Sequence, residues 1–372
     1  MSNETKPRGR RRWLAAGSAA VLIAASLAGW AVHAHGGPGG PDDPPQKDML
    51  VDAAARAAVI AAICDNMEAH YVFPEQAKRL SAELKARAAK GEFDDVTSAE
   101  KFARTMTGTL QAVLKDKHLE VRYFADAVPP DAGSEQRNPA EVEAERVEHA
   151  RFNHGVAQFK RLQGNISYLD LHSFGRPEAT APRYAAVMAL MKDTAGMVID
   201  LRHTEGGDPD AVMLLASYLF DKPTHLNDIW MRDDNATTER WTDPKVLGPH
   251  YGQARPIALL VGPDTFSAGE DFAYALKNAR RATLIGETTG GGAHPGHPRR
   301  LTEHFMMNVP NGRSISPVTH TDWEGTGVTP DIRINPDKAL DRAQLELLEK
   351  LVPAEKDPDW KRRISERLQE LR

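Results

Sequence analysis

The chain has 372 residues, 41% apolar and 27% charged, a globular composition that excludes wholesale disorder. A formal net charge of −5, with both signs scattered, implies no nucleic-acid partner and a solvated surface. One cysteine, Cys64, leaves no intramolecular disulfide and no support for thiolate chemistry; it lies on the stripe Val59, Ile60, Ile63, Met67 and reads as a small buried hydrophobe.

At the N-terminus, Lys6, Arg8, Arg10, Arg11 and Arg12 precede an uncharged apolar run over residues 13–32. That is the layout of a secretory signal, with Val32 and Ala34 suited to a cleavage site. The run is also nearly long enough to span a bilayer, so a cleaved signal over 1–34 and a retained membrane anchor both fit. Either one exports the rest of the chain, to the periplasm or the extracellular space. Residues 35–48, rich in Gly and Pro, form a flexible tether.

A helical pattern runs over 49–114, broken at Phe73-Pro74 and Gly91, and ends in a short strand at 119–124. Residues 49–124 are thus expected as a small helical domain. A connector with one charged helix, 125–155, leads to the core, 156–336. There, strand-like runs at 166–171, 196–201, 256–262 and 282–286 alternate with helical patterns at 184–191, 211–220 and 272–276. This alternation predicts an α/β domain with a mostly parallel sheet. Segments 305–309 and 313–316, flanking Pro310-Asn311-Gly312, predict a hairpin. Residues 337–372 form a helical tail closing in a charged surface helix from Asp357.

Three stretches could carry chemistry. The strand over 257–261 passes through a turn to Ser267-Ala268-Gly269-Glu270 and then a helix. Ser267 would sit at a helix N-terminus, where free N–H groups favour developing negative charge. The same Ser-x-x-Glu is also a capping box, which asks nothing of the serine beyond satisfying an N–H. A second strand runs from Val198 to Gly206-Gly207, whose N–H groups could serve as oxyanion donors or simply make a βα turn. The third, Gly286 to Gly292, lacks the ending of a phosphate loop. His294, His297 and His304 hold metal-like spacing but lie in a Gly/Pro loop, and no metal or cofactor is assigned.

Together, Asp200-Leu-Arg-x-x-x-Gly-Gly, Thr265-Phe-Ser-Ala-Gly-Glu-x-Phe, Arg281 through Gly292, and Trp323-Glu-Gly-x-Gly-Val-x-Pro-Asp resemble the core of the tail-specific (C-terminal processing) serine peptidase family. Tyr71-Val-Phe-Pro and Asp116-Lys-His-Leu resemble the helical domain of the branch related to interphotoreceptor retinoid-binding protein. The resemblance implies a crotonase-like spiral β/α core, Ser267 as nucleophile, and Ala268 with Gly206 or Gly207 as oxyanion hole. It departs from the well-known branch, whose catalytic lysine falls where Gly292 stands and whose PDZ domain would not fit into 125–155. The branch resembling the tricorn protease core implies His118 as base, supported by Glu324. A serine precedes the histidine there; here it is Lys117, which leaves Asp116 as a rival orienting partner.

Two functions are compatible with these residues. One is an exported peptidase acting on peptides or proteins through an acyl-enzyme; Arg299 and Arg300 could hold a substrate carboxylate, with surface solvation the plainer role. The other is a non-catalytic module binding an apolar ligand, as in the retinoid-binding relatives. Nothing in the sequence fixes an oligomeric state.

Overall fold

The computed structural model describes residues 46–133 and 139–372. The signal or anchor at 1–34 and most of the tether lie outside the described residues. Among those described, no helix is long and apolar enough to cross a membrane.

Three helices come first: α1 (Ala53–His70), α2 (Pro74–Ala89) and α3 (Ala99–Leu114). Asp52 caps α1 by accepting the Ala55 N–H at 2.7 Å, and Ser98 caps α3 through the Lys101 N–H at 3.0 Å. Pro74 opens α2, where a missing N–H costs nothing. Val59, Ile63, Cys64 and Met67 of α1 are buried against Leu80 and Leu84 of α2 and Phe102 and Met106 of α3. Strand β1 (Glu120–Tyr123) comes next.

After α4 (Pro139–Arg151) the chain runs through β2 (Val156–Leu162), β3 (Ile166–Leu171), α5 (Pro177–Met191), β4 (Gly196–Asp200), α6 (Pro209–Ser217), β5 (Asp228–Met231), β6 (Ala236–Thr238), β7 (Ile257–Val261), α7 (Ala268–Asn278) and β8 (Thr283–Gly286). It continues through β9 (Gly296–Arg300), β10 (Phe305–Pro310), β11 (Gly312–Ile315) and β12 (Ile332–Arg333) to α8 (Pro336–Ala354) and α9 (Pro358–Glu370). The main sheet has the order β12-β8-β7-β4-β3-β2, parallel except for the antiparallel edge strand β2. Its central strands are apolar on both faces because helices cover both. On one side Ile199, Leu259 and Leu284 meet α5, α6 and α7; on the other Val198, Leu260 and Ile285 meet Ala343, Leu347 and Leu348 of α8. The fold is mixed α/β with a helical N-terminal region.

The tail from residue 337 is therefore the second layer of the core, with α9 tucking Ile364 and Leu368 into the same cluster. Its surface character is confined to the outer faces of these helices.

One local expectation fails. Segments 305–309 and 313–316 do not pair as a hairpin: β10 lies between β1 and β9, whereas β11 joins β5 and β6 in a separate sheet. The Pro310-Asn311-Gly312 corner is held by others. The Asn311 and Gly312 N–H groups both donate to Pro295 O, at 3.1 and 3.0 Å, and the Asn311 amide donates to Asp233. These long-range bonds prevail over the turn's local hairpin preference. By pairing with β10, β1 also brings Phe305, Met307 and Val309 under the N-terminal helices.

Candidate active site

Parallel α/β sheets carry their sites at the carboxyl ends of the strands, where loops splay apart. Here the loops after β4, β7 and β8 converge there. Thr265 Oγ1 donates to Leu201 O at 2.7 Å and the Phe266 N–H to Thr204 O at 2.9 Å, which locks the β7 loop against the β4 loop. Ser267 stands at the head of α7 with φ 51° and ψ −116°, a left-handed backbone that a non-glycine residue holds only under strain. The buried Glu270 secures it. Its carboxylate accepts the Ser267 N–H at 3.0 Å, those of Gly291 and Gly292 at 2.7 and 2.8 Å, and the Thr289 hydroxyl. Burial still pushes Glu270 up to about 7 against those bonds. The Glu270 half of the capping box is thus present, and it clamps the Gly-rich turn onto the serine.

Lys115, in the left-handed conformation at φ 60°, ends α3 and reverses the chain into Asp116-Lys117-His118. The Asn308 amide donates to His118 O at 2.8 Å from β10, and the His118 ring tilts over Phe266 at 4.7 Å. His118 Nε2 lies 3.1 Å from Ser267 Oγ. Residues 149 positions apart in the chain meet at hydrogen-bond distance. Burial pushes the His118 imidazole down to about 4; Asp116 opposes this and His294 reinforces it. His118 is therefore neutral at physiological pH and able to accept a proton.

Beside the serine, the N–H groups of Ala268, Gly206 and Gly207 find no acceptor among the described residues. Gly206 has φ +139°, and a Cβ there would lie 3.1 Å from Ser267 Cβ and 3.9 Å from Ala268 N. Any side chain would crowd the hydroxyl. A Cβ on Gly207 would meet the Phe174 backbone and not Ser267, since Phe174 bridges this turn by donating to Gly206 O and accepting the Asp208 N–H. Ala268 and Gly206 are the pair placed at the serine.

The space where the better-known branch carries its lysine is filled. A Cβ on Gly292 would fall 2.1 Å from Phe266 Cζ, so the ring that packs on His118 also excludes any side chain from Gly292.

Glu324 and Asp116 take different places. Asp116 is the nearer: Oδ1 accepts the His118 backbone N–H at 3.0 Å and lies 3.9 Å from His118 Nδ1. Its Oδ2 accepts from the Tyr71 hydroxyl at 3.1 Å and faces His294 Nδ1 at 3.0 Å. Glu324 is further out, its Oε2 at 3.4 Å from His294 Nδ1 and accepting the Ala293 N–H at 2.5 Å. The Trp323 indole donates to Gly292 O at 2.7 Å and fixes that loop. Lys117 turns away to Gly290 O at 2.7 Å.

The histidines considered for a metal do not share a site. His294 is buried, His297 is exposed on β9, and His304 faces Phe124 O at 3.0 Å. Asp116, His294 and Glu324 do converge, within 4.8 Å of one another. They are knit by hydrogen bonds to Tyr71, His118 and Ala293. Arg299 is taken up by Asp233 at 3.0 Å and Arg300 by Val128 O at 3.1 Å, which leaves surface bracing as their role. Phe266 and Tyr71, marked in the sequence only as members of the motifs that carry the resemblance, join the site, and His294 stands out in the sequence only as a ligand candidate. Their neighbours carry no local sign of these contacts.

A serine against a neutral histidine, at a helix N-terminus with free N–H groups beside it, defines a serine-hydrolase type of centre. Residues 165–334 match Peptidase family S41, and residues 50–158 match the N-terminal domain of peptidase S41 in eukaryotic IRBP. The chain belongs to Peptidase family S41, a family of serine-type peptidases. It is 29% identical over 167 residues to the chloroplastic carboxyl-terminal-processing peptidase 2 of Arabidopsis thaliana, which covers 45% of this chain and 31% of that one. It is 29% identical over 188 residues to the carboxy-terminal-processing protease of Bartonella bacilliformis, covering 46% and 39%. The chain thus spans 31% and 39% of the length of these two curated relatives. A solved lipoprotein structure from Streptococcus agalactiae shares the fold, with TM-score 0.52 and 14% identity over 83% of this chain and 98% of that one.

Proposed function

We propose that the chain is an exported serine peptidase that hydrolyses peptide bonds through an acyl-enzyme on Ser267. The observation that carries this is the 3.1 Å approach of Ser267 Oγ to a buried, neutral His118, with the Ala268 and Gly206 N–H groups free beside it. His118 removes the hydroxyl proton as Ser267 Oγ bonds to the carbonyl carbon, and the oxyanion rests on those N–H groups. The imidazolium then gives its proton to the leaving amine, and water, deprotonated by His118, releases the acid and frees the serine. Asp116 is the carboxylate that orients His118. A carrier of apolar ligands would need neither the aligned pair nor the strained serine, which favours the hydrolase.

The core is proposed to wind as a crotonase-like spiral, and the basic-then-apolar segment 1–34 to export it as a signal or an anchor.

Treatment with a fluorophosphonate probe should label the wild-type protein on Ser267, and Ser267→Ala should neither label nor hydrolyse peptides. Labelling should persist to well below pH 6, because His118 loses its free lone pair only near 4. Equal labelling of the alanine variant would defeat the assignment.

A further inference from the structure

The centre contains a second histidine that the Ser267–His118 chemistry does not use. His294, in the loop after β8, is buried, and its Nδ1 faces Asp116 Oδ2 at 3.0 Å and Glu324 Oε2 at 3.4 Å. Its ring packs edge-on against Phe73 at 5.4 Å. The groups that face it are Asp116 and His118 from the turn after α3, Tyr71 and Phe73 from the α1–α2 corner, and Asp322 and Glu324 from the loop before β12.

Asp116 is fully buried and accepts from the His118 N–H and the Tyr71 hydroxyl, and a cation against it adds to what those donors supply to a buried carboxylate. Lys117, its neighbour in sequence, is turned to Gly290 O. The cation cannot be His118, which must stay neutral to take the serine proton. Among the described residues, His294 is the remaining basic group in contact with Asp116.

We propose that His294 is a positioning residue: as an imidazolium hydrogen-bonded to Asp116, it holds that carboxylate in place beside His118. The inference rests on the peptidase reading only for its catalytic consequence. Two histidines in one buried cluster then divide the labour, one charged and structural, the other neutral and basic. Their environments agree with this division. Burial draws His294 down, but the hydrogen bond and charge of Asp116, with Glu324 and Asp322 behind it, more than offset this and hold its pKa above the ordinary histidine value. Burial draws His118 down, and the charge on His294 adds to that. Such opposed displacement of paired groups is how enzyme sites assign acid and base roles. Glu324 is itself pushed upward by burial and by Asp116.

The test is an NMR titration of the folded protein carrying isotope-labelled histidine, assigned through single His→Gln variants. In the wild type, His294 should be doubly protonated at pH 7 while His118 is neutral, with a midpoint near 4. In His294→Gln the amide can still donate to Asp116 but carries no charge. Asp116 keeps its donors in the Tyr71 hydroxyl and the His118 N–H, and with the opposing charge of His294 gone the His118 midpoint should rise by about one unit or more. If hydrolysis is active, the acid limb of kcat should rise with it while KM stays put. A neutral His294 at pH 7, or a His118 midpoint unmoved in His294→Gln, overturns the proposal. The wild-type titration stands even if the variant does not fold. It also reads the histidine pair whether or not Ser267 labels, so failure here is distinct from failure of the peptidase assignment.

Discussion

Ser267 adopts a backbone that costs roughly 1–3 kcal/mol for a residue with a Cβ, and the four bonds to Glu270 are what hold the loop there. The two carboxylates near His118 act differently because their contacts differ. Asp116 touches both the backbone and, at 3.9 Å, the ring of His118, whereas Glu324 meets only His294 and the Ala293 N–H. Asp116→Asn replaces one acceptor oxygen by a donor and removes the charge, so kcat should fall on the order of 10²–10⁴-fold with KM little changed. Glu324→Gln copies the protonated acid that burial favours at this position, and should cost much less. Steady-state kinetics on both variants under one set of conditions checks the ranking; a more severe Glu324→Gln would move the orienting role outward to Glu324.

The elements that bear on the site are held by packing some distance from it. Strands β4, β7 and β8 carry its loops, and α8 covers their far face with Ala343, Leu347 and Leu348. Leu347→Ala opens a cavity under that layer and should destabilise the fold by about 2–5 kcal/mol, read from the denaturant midpoint. Since α8 touches none of the site side chains, the surviving folded fraction should label at the wild-type rate. The strand β10 has a similar standing on the other side. It sends Asn308 to His118 O and Met307 and Val309 under the N-terminal helices, so it joins the base to the helical region.

At the scale of the whole molecule, the helical region and the core share a sheet and a hydrophobic cluster. Residues 49–124 lack a partner for β1 and four side chains of their own cluster, which come from Leu301, Phe305, Met307 and Val309. Expressed alone, that segment should give a helical circular-dichroism signal with poorly dispersed NMR resonances; a cooperative, dispersed domain would show that the shared sheet is dispensable. Elements whose signals are local can be read along the chain: the alternation of strands and helices over 156–286, the serine at a strand-to-helix turn, and the Gly-Gly turn after β4. Periodicity, capping and turn chemistry operate over a few residues, which is why they are legible there. Other features come into being only when distant segments pack. β10 pairs with β1 and not with β11, Phe266 fills the space over Gly292, and Asp116 lies closer to His118 than Glu324 does. His294 and Asp116 are 178 positions apart, and no local pattern encodes which buried carboxylate a histidine will meet. That depends on how loops from separate segments close over the carboxyl ends of one sheet's strands. Their shared electrostatics, which set one histidine charged and the other neutral, exist only once they are buried together.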